Sequence, residues 1–247
     1  MAKKKRALES NRRVSITVNE QAVVSGISLN SRDARCCLVF AHGAGAGMEH
    51  PFMSAIADGL LERGMATLRY QFPYMEKGSP RPDPPTLCHQ TVRAAVMKAH
   101  ALMPSVPLIA GGKSFGGRMT SQAQAMSPLP EVRGLCFLGF PLHPPEKISA
   151  DRAAHLSSIR IPMLFVQGTR DALANRELMA SVTAQLGSAA TLATIDAADH
   201  SFHVLVRSGR TSAEVMQEVL DAIEKWSVSV IAFSRQCREP LGDPQSR

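Results

Sequence analysis

The nine residues "AGGKSFGGR" (110–118) carry two patterns that ask for different chemistry. Gly112-Lys113-Ser114 matches the close of a phosphate-binding loop, in which glycine amides cradle phosphates and the lysine pairs with them. That loop has the form G-x-x-x-x-G-K-[ST] and needs a glycine five residues before Gly112. Pro107 stands there, and Leu108-Ile109-Ala110 reads as strand, so no residues remain to bend around a phosphate. The second pattern, Gly112-x-Ser114-x-Gly116, is a sharp strand-to-helix turn that exposes a serine hydroxyl. "VPLIA" supplies the strand and "FGGRMTSQAQAM" the helix. Ser114 is the expected nucleophile.

A serine hydroxyl is a poor nucleophile until a base removes its proton and an anion orients that base. "LFVQGTRDAL" places Asp171 just after one apolar run, and "ATIDAADHSFH" places His200 just after another. The order Ser, Asp, His, with one or two strand–helix units between members, suits this chemistry. Asp196 and Asp199 lie too close to His200 to reach it from a separate strand end and read as solvated loop acids. His203 is the alternative base, deeper in the following segment. His200 and His203 form an H-x-x-H pair, but no further ligands are indicated, so no metal site is expected. An oxyanion also needs amide donors. One is expected from the backbone N–H of Phe115. The other is expected from the small-residue loop His42–Gly47, at Ala44 with Gly45 as the alternative. Lys113, beside the serine, either attracts an anionic substrate or is paired structurally.

Positioning these groups requires a parallel sheet. Short apolar runs at 36–43, 65–73, 106–112, 132–141, 161–168 and 190–197 alternate with helix-length segments near 51–63, 88–102, 115–126, 174–186 and 211–233. The runs are too apolar to alternate cleanly, as strands covered on both faces are. "VSITV" (14–18) and "AVVSGISL" (22–29) read as an antiparallel hairpin at one edge. In the last segment Val215, Val219, Ile223, Trp226 and Val230 recur at helical spacing behind a Thr211–Glu214 capping box. "QFPYMEKGSPRPDPP" (71–85) contains five prolines and is expected to be irregular. Only "LHPPEKISADRA" separates the run 132–141 from the next helical segment, too little for an inserted lid domain.

The 247 residues, 45% hydrophobic and 20% charged, suit one globular domain at about 14–233, between tails at 1–13 and 234–247. No run of about 18 apolar residues spans a membrane, and no apolar signal-peptide stretch follows Lys3–Arg6. A cytoplasmic protein is expected. The five cysteines include no C-x-x-C pair and read as reduced, buried side chains. The formal charge of +7 gathers near the ends, in Lys3–Arg6, Arg12 and Arg13. With an aromatic content of 5%, these read as solvated tails, and no nucleic-acid partner is expected.

From about residue 14 to 233 the chain resembles the α/β-hydrolase superfamily. Within it, it is similar to the small hydrolases related to dienelactone hydrolase and to the testis-expressed and non-specific-lethal-complex hydrolase-like proteins. The segments that carry this are "AHGAGAGM", "RYQFPYMEKGSPRPDPP", "GGKSFGGRM", "GFPLHPPEK", "LFVQGTRDAL" and "DHSF". The resemblance implies an α/β fold, mostly parallel with helices on both faces and no lid. It also implies Ser114 as nucleophile, Asp171 as acid and His200 as base. Dienelactone hydrolase carries a cysteine nucleophile where this chain has Ser114, so its substrate is not carried over. The expected activity is hydrolysis of a small or soluble ester, thioester or lactone through an acyl-enzyme, without a cofactor. Because the subgroup includes a subunit of a chromatin complex, a non-catalytic binding protein is the alternative.

Overall fold

The computed structural model describes residues 8–236. The basic run Lys3–Arg6, the stretch 237–247 and Cys237 lie outside the described residues. Eight strands form one sheet: β1 (Leu8–Asn19), β2 (Ala22–Ser31), β3 (Cys36–Ala41), β4 (Met65–Tyr70), β5 (Leu108–Lys113), β6 (Val132–Leu138), β7 (Met163–Gly168) and β8 (Ala190–Ile195). Their order across the sheet is β1-β2-β4-β3-β5-β6-β7-β8. From β4 to β8 every pairing is parallel, whereas β1 and β2 close one edge antiparallel. The helices are α1 (Pro51–Glu62), α2 (Pro73–Glu76), α3 (Pro85–Leu102), α4 (Phe115–Met126), α5 (Arg176–Leu186) and α6 (Ser212–Gln236).

Two hydrophobic layers explain why the strand sequences do not alternate. In β3, Cys37, Val39 and Ala41 face α3 and α4, where Val92, Val96 and Met119 pack. Cys36, Leu38 and Phe40 face the other way, onto Met53, Ile56 and Leu60 of α1 and Val215, Val219, Ile223, Trp226 and Val230 of α6. Both faces are buried, so both sets must be apolar. The stripe expected on α6 is thus its sheet-facing side. Its capping box is formed as expected: Thr211 N–H donates to Glu214 Oε2 (2.7 Å), and Glu214 N–H to Thr211 Oγ1 (3.2 Å). Cys36, Cys37, Cys88 and Cys136 are free, buried thiols.

Three expectations are corrected. Residues 8–13, read as part of a tail, belong to β1, with Leu8 opposite Ser31 and Arg13 opposite Ile27. An edge strand can carry charged, exposed residues because one side has no neighbour to pack against, and the sequence there gives no apolar run. The last helix continues to Gln236, past the expected boundary at 233. The proline-rich segment is not wholly irregular: Pro73 starts the single turn α2, and Pro85 starts α3 three residues earlier than expected. Proline at the first helical position loses no hydrogen bond, and its fixed φ suits a helix start.

Candidate active site

Ser114 sits between β5 and α4, at the middle of the sheet and at the carboxyl ends of its parallel strands. Its φ of 50° and ψ of −114° are unusual for a residue with a side chain. The turn holds because glycines flank it. A Cβ on Gly112 would come within 2.6 Å of the Ala41 carbonyl oxygen and 2.7 Å of the α4 backbone. A Cβ on Gly116 would lie 2.5 Å from the His42 carbonyl oxygen. The Ser114 N–H donates to the Leu138 carbonyl (3.0 Å), tying the turn to β6.

Asp171 follows β7 and His200 follows β8, and the structure brings both to the serine. His200 Nε2 lies 2.8 Å from Ser114 Oγ, and His200 Nδ1 lies 2.7 Å from Asp171 Oδ2. The Asp171 carboxylate is fully buried, while the imidazole keeps 24% of its surface exposed. The alternatives do not join this line. Asp199 Oδ1 accepts from the N–H groups of Ser201 and His203 and shapes the turn. Asp196 Oδ1 accepts from Thr169 (3.3 Å). Among the described residues, no group of three or more His, Cys, Asp or Glu side chains is placed to hold a metal ion.

Residues that the motifs did not reveal hold these groups in place. Gln167, in β7, donates from Nε2 to Asp171 Oδ2 and accepts the Phe140 N–H at Oε1 (2.9 Å). The Leu173 N–H donates to Asp171 Oδ1 (2.8 Å), so both carboxylate oxygens are engaged. His42 is wholly buried. The Phe72 N–H donates to its Nε2 (3.0 Å), which must therefore be unprotonated; the proton sits on Nδ1, which donates to the Gly43 carbonyl (2.7 Å). Burial pushes His42 down to about 4, which keeps this tautomer neutral. The Gly43–Ala44 peptide is thereby fixed. The next peptide is fixed as well, because the Tyr74 hydroxyl donates to the Ala44 carbonyl (2.8 Å). Tyr74 and Phe72 come from the proline-rich segment and stack on each other (6.2 Å between centroids, 17°) and against Phe115. That segment therefore buttresses the loop 42–47.

Ala44, Gly45, Lys113, Ser114 and His200 open onto a cavity of about 610 Å³. Its far walls are Pro51, Phe52 and Met53 of α1, Phe202, and Val215 and Met216 of α6. Phe52 and Phe202 stack in parallel (5.7 Å, 5°). Lys113 turns its ammonium to the His200 carbonyl oxygen (2.5 Å) and lies over the Phe202 ring (5.4 Å to the centroid). Of the two roles expected for Lys113, this geometry favours the structural one. Burial lowers it to about 8, against the pull of Asp171 and Asp199.

A family model described as an alpha/beta hydrolase domain matches residues 34–228. The chain belongs to the α/β-hydrolase family. Among solved structures, the dienelactone hydrolase of Anabaena variabilis superposes with a TM-score of 0.70 at 20% identity, covering 89% of this chain and 97% of that one. An α/β serine hydrolase without a lid from Xanthomonas campestris gives 0.67 at 16% identity, covering 88% and 95%. Est1E from Butyrivibrio proteoclasticus gives 0.68 at 18% identity, covering 90% and 100%. At these identities the likeness is one of fold. This α/β hydrolase likewise has no lid domain: residues 139–162, between β6 and β7, contain only a 3-10 segment at Asp151–Ser158. No helix among the described residues is long and apolar enough to cross a membrane.

Proposed function

We propose that this α/β hydrolase is a serine hydrolase that cleaves a small or soluble ester, thioester or lactone through an acyl-enzyme. The observation that carries the reading is the unbroken line Ser114 Oγ–His200 Nε2, His200 Nδ1–Asp171 Oδ2 at the mouth of the 610 Å³ cavity. His200 Nε2 takes the Ser114 proton as Oγ attacks the acyl carbon, and the buried Asp171 carboxylate stabilises the imidazolium that forms. The N–H groups of Phe115 and Ala44 receive the developing oxyanion. Phe115 opens α4, whose first amides have no partner within the helix, and Ala44 belongs to the loop that His42 and Tyr74 hold. Collapse of the tetrahedral intermediate breaks the bond to the leaving group, which takes the proton from His200. Water then repeats the sequence and frees the acid. The apolar walls at Phe52, Met53, Phe202, Val215 and Met216 suit the acyl chain, and the absence of a lid suits substrates free in solution.

The test needs no knowledge of the substrate. A fluorophosphonate captures a serine only where a base and an oxyanion hole act together. Labelling of the wild type at Ser114, its loss in Ser114→Ala and a severe slowing in His200→Ala are expected. Asp171→Asn should slow labelling by up to about 10⁴-fold. If folded wild type resists the probe as completely as Ser114→Ala, the binding-protein alternative takes its place.

A further inference from the structure

On the opposite face of the sheet from the cavity, four basic side chains meet where α3, α4 and the 3-10 segment Asp151–Ser158 adjoin. Arg118, Ser121 and Gln122 share one face of α4, at i, i+3 and i+4. His155 Nε2 lies 2.7 Å from Ser121 Oγ, and His89 Nε2 lies 3.2 Å from Gln122 Oε1. The Arg118 guanidinium stands over the Phe115 ring (5.9 Å), one helical turn beyond Ser114. Its Nε is buried and bonded to nothing, and so is His89 Nδ1. Arg152, in the same 3-10 segment as His155, stands near enough to Arg118 to lower its basicity.

Among the described residues neither Arg118 nor Arg152 forms an ion pair. Asp83, the acid beside Cys88, accepts the Tyr74 N–H (2.7 Å) and forms no ion pair among the described residues. Burial, followed by the repulsion of Arg118 and His89, pushes His155 down to about 4. Burial also lowers His89, against its bond to Gln122, with Arg93 and Arg118 adding to the fall. Arg118 is lowered by burial and then by Arg152. A buried donor left unpaired costs about 1–3 kcal/mol, and an arginine fork suits a carboxylate or phosphate held by two parallel hydrogen bonds.

We propose that this junction is an anion-binding site, in which Arg118 and Arg152 hold a carboxylate or phosphate group and His155 and His89 supply further, proton-linked donors. With Nε2 of neutral His89 donating to Gln122, its Nδ1 is a bare lone pair; protonation makes it a donor to the anion. Binding therefore takes up protons and strengthens as pH falls. The position one turn from Ser114 favours the substrate as the source of the anion. Its acyl group would enter the apolar cavity, and its leaving group would carry the charge. That use rests on the hydrolase reading, whereas the site itself does not.

The first arm titrates inorganic phosphate into the protein at constant ionic strength, at pH 6 and pH 8, and reads the melting temperature. Saturable stabilisation is expected in the wild type, and sulfate, a dianion at both pH values, should bind more tightly at pH 6. The stabilisation should be lost in both Arg118→Gln and Arg152→Gln, each shown to be folded by circular dichroism. A response that does not saturate, or that both variants keep at the wild-type level, overturns the proposal. The second arm compares kcat/KM for 4-acetoxybenzoate and phenyl acetate, whose leaving groups differ by one carboxylate. A roughly tenfold fall in that ratio in Arg118→Gln, the scale of one charge-assisted contact, assigns the anion to the substrate. An unchanged ratio overturns that assignment and, with phosphate binding intact, leaves a free anion as the ligand. If neither ester is hydrolysed, the hydrolase reading suffers while the phosphate titration still decides the site.

Discussion

Neutral His42 is the keystone of the loop proposed to bind the oxyanion, and acid should remove it. In the folded protein burial lowers it from 6.5 to about 4. The unfolded chain therefore binds one more proton than the folded one between those values, and stability falls as pH drops through that window. The contribution is complete above pH 6.5 and lost progressively towards pH 4. At pH 4.5 the linkage amounts to about 2.5 kcal/mol, most of the full shift at 1.36 kcal/mol per pKa unit. That size applies because the ring is wholly buried and solvent does not screen it. The structural event is the loss of the acceptor for the Phe72 N–H when Nε2 gains a proton. Guanidinium unfolding of wild type and His42→Gln at pH 7.5 and 4.5 measures the effect. The variant should be the less stable at pH 7.5, yet its loss on acidification should be smaller than that of the wild type by about 2–3 kcal/mol. Equal losses in the two proteins would refute the assignment of a buried, neutral histidine.

Three further substitutions probe the turn and its supports. Gly112→Ala puts a Cβ 2.6 Å from the Ala41 carbonyl oxygen and should cost at least about 1–3 kcal/mol; a denaturation midpoint equal to that of the wild type would show that the turn tolerates a side chain. Gln167→Leu leaves the buried Phe140 N–H without its acceptor and removes a donor from Asp171, for a loss of about 1–3 kcal/mol together with slower fluorophosphonate labelling. Unchanged labelling would separate Gln167 from the site. Lys113→Met frees the His200 carbonyl and should slow labelling by about tenfold, the scale of one charge-assisted hydrogen bond; a wild-type rate would leave Lys113 with no part in placing the base.

The parallel core of the fold was legible because burial on both faces leaves a strong trace in sequence. Six apolar runs mark β3 to β8, and the glycines that bracket Ser114 mark the turn where β5 meets α4. The edge was harder to read. β1 carries Asn11, Arg12 and Arg13, all exposed, at the edge of the sheet, where fewer neighbours constrain them to be apolar. Prolines misled in the other direction. They bar a helix interior but not its first position, and Pro73 and Pro85 both occupy that position.

Within the site, the groups that could be read were those whose side chains act on one another. Ser114, Asp171 and His200 form a chain of side-chain contacts, and each lies at a strand end that its own run announces. The supports escaped because their partners are mostly backbone atoms. His42 bonds to Phe72 N–H and the Gly43 carbonyl, Tyr74 to the Ala44 carbonyl, and Gln167 to Phe140 N–H. A backbone partner imposes no residue type and so leaves no motif. One signal was present all the same. Gln167 is the lone polar side chain in "MLFVQG", a strand buried along its whole length. His42 directly follows the equally buried β3. A polar group in such a place must find a hydrogen bond or destabilise the fold. Each therefore marks a backbone or carboxylate that has to be held, and at the end of a parallel strand that is the surface where the reacting groups gather.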